Sequence, residues 1–119
     1  MTLVDTSVWI DHFRRSDPGL KTLLDEEAVM THPAVIGELV CGTLPARSRT
    51  LIDLQSLPPV PSIADAEETM FIIESRKLRG KGIGWTDAQL VASATISGCK
   101  LWTHDKRLQA VATSLHIAH

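Results

Sequence analysis

Four acidic residues stand where a carboxylate is free to do chemistry: Asp5, Glu38, Asp87 and Asp105. Asp5 stops the short apolar run Leu3–Val4, two residues before the helix-permissive segment Ser7–Phe13, so the chain begins as strand, acid, helix. Asp105 follows a second apolar stretch, Lys100-Leu101-Trp102-Thr103. Asp87 falls in the first turn of an expected helix and Glu38 lies within one. Open α/β sheets bind ligands beyond the carboxyl ends of their strands, so Asp5, Asp87 and Asp105 are expected to converge on one sheet edge. Glu38 joins them if its helix turns toward that edge the strip it shares with the small residues Ala34, Cys41 and Gly42.

Carboxylates gathered without cations repel, and each is driven to bind a proton. A divalent ion removes that conflict. An all-oxygen donor set with no cysteine or histidine ligand spacing suits Mg²⁺ or Mn²⁺ rather than Zn²⁺. Such an ion makes a nucleophile of water and stabilises charge on a phosphoryl oxygen. Each acid also has a purely structural use. Asp5 and Asp105 can cap the helices that follow them, Asp87 can answer a helix dipole, and Glu38 can face solvent.

The elements that position these acids follow from pattern. Thr6 or Ser7 can cap a first helix carrying Val8, Trp9, His12 and Phe13, which Ser16-Asp17-Pro18-Gly19 stops. A short helix over Leu20–Glu26 and a buried strand over Ala28–Thr31 come next. His32-Pro33 opens a helix running to about Thr43, with proline where a missing N–H costs least. Ala46–Leu57 reads as another helix. Pro58-Pro59-Val60-Pro61 allows at most a short edge strand at Val60. Ile63–Arg79 is helical by pattern and ends at Gly80, Gly82 and Gly84. Thr86-Asp87-Ala88-Gln89 matches a capping box and starts a helix to Ser97. Lys106–Thr113 is a last helix, and Ser114–His119 can add a terminal strand. Alternating strands and helices imply an α/β fold, with a central, mainly parallel sheet of four to five strands flanked by helices on both faces.

The chain has 119 residues, 44% apolar and 22% charged, which suits one domain over residues 1–119 with a single core. No apolar run approaches the ~18 residues that span a bilayer, and Asp5, Asp11 and Arg14 come too early for a signal-peptide core. A cytoplasmic location with no membrane partner is expected. Cys41 and Cys99 are far apart with no Cys-x-x-Cys pairing and are expected to be reduced core residues. The formal net charge of −2 comes from 12 basic and 14 acidic residues. With four acids engaged by cations, the 12 bases face 10 acids and a phosphate-bearing substrate is tolerated. Five aromatic residues and no tyrosine disfavour stacking-based RNA-recognition modules and oligonucleotide-binding barrels.

Arg76, Lys77, Arg79 and Lys81 lie shortly before Asp87 and can guide RNA phosphates toward it; their alternative use is as solvated residues near a helix C-terminus. Trp9, Leu51 and Leu54 suit core packing better than a partner surface. His104 is read as a surface histidine rather than a base. A phosphoacceptor receiver would need an acidic pair after its first strand, and a haloacid-dehalogenase-like phosphatase an aspartate where Ser7 stands. Neither fits.

The segments VDTSVWID (Val4–Asp11), IGELVCG (Ile36–Gly42), WTDAQLVASA (Trp85–Ala94) and LWTHDKRL (Leu101–Leu108) resemble the four acidic motifs of PIN-domain ribonucleases, and more narrowly those of VapC-type toxins of bacterial toxin–antitoxin pairs. The resemblance covers essentially the whole chain. It implies a compact PIN fold and an Mg²⁺- or Mn²⁺-dependent endoribonuclease leaving 5′-phosphate and 3′-hydroxyl ends. It makes Asp5, Glu38, Asp87 and Asp105 the catalytic, metal-holding quartet, and Thr103 a substrate-side hydroxyl two residues before the last acid. It also implies homodimers and a cognate antitoxin that occupies the acidic groove. His104 stands where the family often has arginine. The alternative is a catalytically silent PIN scaffold that binds RNA or antitoxin without cutting.

Overall fold

The computed structural model describes residues 1–119. The order is β1 (Thr2–Val4), α1 (Thr6–Arg15), α2 (Pro18–Asp25), β2 (Val29–Met30), α3 (Pro33–Cys41), α4 (Arg47–Ser56), α5 (Ala66–Ser75), α6 (Trp85–Ser97), β3 (Lys100–Trp102) and α7 (Lys106–Ser114). The sheet is parallel, in the order β2-β1-β3. Because β1 is central and covered on both faces, Leu3 and Val4 are fully buried, the continuous apolar run that such a strand requires. Its register with β3 pairs Leu3 with Leu101 and Val4 with Trp102. The next residues on the two strands are Asp5 and Thr103, so the sheet itself delivers them side by side.

Three strands form, not four to five. The two expected edge segments survive as single parallel bridges, Thr31 with Pro59 and Leu101 with Ala118. At the first edge, Thr31 N–H donates to the Pro58 carbonyl (2.8 Å) and Val60 N–H to the Thr31 carbonyl (2.9 Å). Pro58, Pro59 and Pro61 have no N–H with which to extend that ladder. At the other edge, α7 continues to Ser114 and His116 takes a left-handed turn (φ 60°), so extended backbone begins only at Ile117.

Local chemistry also moves two helix starts. The expected helix over Ile63–Arg79 shrinks to α5. Asp65 and Glu68 form a reciprocal capping box there, while the Ser62 and Ala64 N–H groups donate instead to the Ser97 and Ser93 hydroxyls (3.0 Å each). At its far end Lys77 is left-handed (φ 55°). The capping box expected at Thr86 does not form. Helix α6 begins one residue earlier, at Trp85 behind Gly84, with no side-chain cap. At α3, Pro33 does occupy the first turn, and His32 caps the helix by accepting from Ala34 N–H (3.0 Å).

One cluster of 24 buried residues, including Leu3, Val8, Trp9, Leu54, Leu90, Leu101 and Leu108, forms the core. Cys99 is in it, and burial pushes its thiol pKa up. Cys41, expected there too, is exposed at the end of α3; both thiols are free. No helix is long and apolar enough to cross a membrane.

Candidate active site at the carboxyl end of the sheet

Asp5 leaves the sheet at the end of β1 and is only 6% exposed. A buried carboxylate must be compensated, and two hydroxyls do so. Ser7 Oγ and Thr103 Oγ1 each donate to Asp5 Oδ2 at 2.8 Å. Both bonds fall on one oxygen, so Oδ1 is left without a protein partner. The expectation that Thr6 or Ser7 caps α1 is not met: Asp5 occupies the cap position, and the Ser7 hydroxyl turns back onto its carboxylate.

Thr103, 4% exposed, ties the two strand-end acids together. While its hydroxyl donates to Asp5, it accepts the backbone N–H of Asp105 (3.0 Å). Asp105 is exposed and caps α7, with Oδ1 accepting from Leu108 N–H (2.9 Å). Ser7 Oγ in turn accepts the His104 N–H (3.0 Å). The structural use of Asp105 as a cap therefore holds together with its place beside Asp5.

The two helix-borne acids are held more loosely. Glu38 is exposed on α3 and accepts from the Thr6 hydroxyl (3.0 Å), which brings α3 against the start of α1. Asp87 is half-buried in the first turn of α6, and burial raises its carboxyl pKa. The charge of Asp5 raises it further, against a lowering by the Gly84 backbone N–H, and Asp105 and Glu38 add smaller upward contributions. Asp87 thus senses all three other acids. All four belong to one electrostatic neighbourhood, although no three side chains close on a common point as metal ligands do. Like charges hold one another apart, and the donor chemistry, carboxylate oxygen only, fits a hard divalent cation.

The remaining candidates separate. Arg76, Lys77 and Lys81 line a cleft with Arg107 on α7, whereas Arg79 lines a different one beside Trp85. His104 is paired, its Nδ1 against Asp11 Oδ2. Trp9 and Leu54 are core residues and Leu51 is half-buried. Sequence reasoning missed Thr6 and Ser7 as carboxylate partners and Arg107 as part of the basic cluster. The signal available was two hydroxyls directly after the strand-end acid.

An α/β protein with acids from β1, α3, α6 and β3 at the carboxyl end of a parallel sheet is the arrangement expected of the PIN class. The PIN domain family model matches residues 2–114, and the chain belongs to that family. Over 119 residues it is 40% identical to Ribonuclease VapC32 of Mycobacterium tuberculosis, in strains CDC 1551 / Oshkosh and ATCC 25618 / H37Rv, across 99% of this chain and 95% of the relative. The chain is accordingly a VapC-type member of the PIN ribonucleases.

Proposed function

We propose that the protein is the toxin of a toxin–antitoxin pair, a single-domain endoribonuclease that hydrolyses RNA phosphodiester bonds with Mg²⁺ or Mn²⁺ and leaves 5′-phosphate and 3′-hydroxyl ends. The observation that carries the site is the Thr103 hydroxyl that binds Asp5 and the Asp105 backbone together at the strand ends, with Asp87 near enough for the charges of the other acids to raise its pKa. Asp5 and Asp87 would be the principal holders of the cation, with Glu38 and Asp105 completing its surroundings. When bound, the cation supplies an activated water and neutralises charge at the phosphoryl oxygen.

The protein's own side chains prepare that chemistry. Ser7 and Thr103 fix Asp5 through Oδ2 and leave Oδ1 free. Thr103 sets the height of Asp105 through its backbone N–H, and so serves as a positioning residue rather than a direct substrate contact. Thr6 steers Glu38. RNA approaches along the basic residues near Arg76, Lys77 and Lys81. The right-handed rule for parallel crossovers supports helices on opposite faces of the sheet, α1–α2 on one and those between β2 and β3 on the other. The cognate antitoxin is expected to occupy the acidic groove, where Glu38 borders an apolar cleft of about 500 Å³ containing Ile10, Phe13 and Leu44. A homodimer is the expected assembly, in the cytoplasm.

The test is cleavage of structured RNA by the wild type with Mg²⁺, by the wild type with a chelator, and by Asp5→Ala with Mg²⁺. Cutting is expected in the first case alone. Undiminished cutting in either of the others removes the site.

A further inference from the structure

We propose that the cleft between the α5–α6 connection and α7 is a phosphate-binding groove that grips the RNA backbone beyond the acidic site. The proposal rests on the ribonuclease reading and extends it to a second, non-cutting contact. The cleft, about 380 Å³, is lined by Arg76, Lys77, Lys81 and Arg107, and no carboxylate lines it. Among the lysines and arginines, the one ion pair of the molecule is Arg49 with Asp53. The four cations of the cleft are therefore uncompensated, in a chain whose net charge is −2.

Two features show that the cluster is built. Leu78 is 4% exposed and anchors the connection to the core, so Lys77 and Lys81 on either side of it are displayed from a fixed base. Gly82 adopts φ +80°, and a Cβ there would meet Arg107 Cδ at 2.6 Å. The glycine makes room for the arginine stem and seats it against the connection. Arg107 itself stands in the first turn of α7, just inside the capping carboxylate of Asp105.

The direction of the groove also suits RNA. It follows Arg107, Ala110, Val111 and Ser114 down one face of α7, about 10 Å at 1.5 Å per residue. Its first residue on this helix, Arg107, lies two residues past Asp105, the acid that caps it. Phosphates held there fix the strand's register relative to the acids without reading bases. Arg79 faces the other cleft and takes no part.

The test measures binding of two unrelated single-stranded RNAs to the whole protein by fluorescence anisotropy, with a chelator present so that nothing is cut, between about 50 and about 200 mM salt. Lys81→Ala/Arg107→Ala is expected to weaken both RNAs equally, about tenfold, and to lower the salt slope by roughly 1.4, or about 0.7 per lost contact. Lys81→Ala alone, at an exposed loop position, should give half that slope change and guards against misfolding of the double variant. Arg79→Ala should leave the slope unchanged, and inorganic phosphate matched to the RNA phosphate concentration should not displace the strand. An unaltered slope in the double variant overturns the groove, as does an equal loss from Arg79→Ala or displacement by inorganic phosphate. Weaker antitoxin capture with RNA binding intact would assign the cleft to a protein partner and also overturn the proposal. None of these readings depends on cleavage, so they stand apart from the Asp5→Ala test of the acidic site.

Discussion

The acids at the strand ends and the acids on the helices are held in different ways. Asp5 and Asp105 share Thr103 and inherit their spacing from the pairing of β1 with β3. Glu38 and Asp87 sit on separate helices; one hydroxyl from Thr6 holds the first, and no side-chain hydrogen bond holds the second. Strand pairing makes half of the site rigid before any ligand arrives. The other half rests on helix packing, and it is there that mutual repulsion is felt. The site is thus a fixed jaw and an adjustable one.

Removing the fixed jaw should cost most. Asp5→Ala is expected to lower single-turnover RNA cleavage by about 10³-fold or more, because several kcal/mol of charge stabilisation disappear with it. RNA binding measured in chelator should persist. Thr103→Val keeps both acids but frees them, and a loss of about 10–100-fold, partly recovered at high Mg²⁺, is expected. Recovery by Thr103→Ser, which restores the hydroxyl, checks that the effect is positional. Thr6→Val releases only Glu38 and should cost a few-fold. If Thr6→Val proves as damaging as Thr103→Val, the contrast between the two jaws fails.

Asp87 sharpens the comparison through stability. Its native pKa lies above its unfolded value, so the native state binds the proton more tightly. Its contribution favours the folded state below the ordinary carboxyl pKa and is lost as pH rises through the native value. At neutral pH it is therefore a destabilising charge in metal-free protein. Asp87→Asn should raise the metal-free melting midpoint by about 2–4 °C, and Mg²⁺ should raise the midpoint of the wild type more than that of the variant. His32 gives the smallest effect and the opposite sign. Burial lowers its pKa, so the stability it contributes is present above its unfolded pKa near 6.5 and declines as pH falls from there toward the native value. His32→Gln should flatten that decline in a melting series.

Much of this arrangement was legible in the residues. Asp5 and Asp105 announce themselves because an apolar run ends on an acid and a helix follows, and strand ends fix position directly. Asp87 was legible as a first-turn residue, although the cap next to it was misread: Gly84, not a hydroxyl, begins α6. Glu38 lay within reach of pattern only through its small neighbours, since helix rotation depends on tertiary packing. The hydroxyl contacts were hidden because serine and threonine have several local uses after a strand, and only the β1–β3 register shows that Thr103 faces Asp5. The basic cluster could not be sorted in one dimension. Arg107 joins it from a distant helix, and Arg79, in the middle of the run, turns away. The strand count was too high because extended composition at Val60 and Ile117 does not reveal how few donors their surroundings leave for a ladder.

The pairing of β1 with β3 joins residues separated by nearly the whole chain, Leu3 to Leu101 and Val4 to Trp102. On a ribosome, the emerging polypeptide carries Asp5 long before Thr103 and Asp105 are added. Until they arrive, neither the hydroxyl tether nor the fourth acid exists, and the long loop between the strands cannot close. The acidic cluster is thus a product of long-range closure, not of any local stretch of the polypeptide.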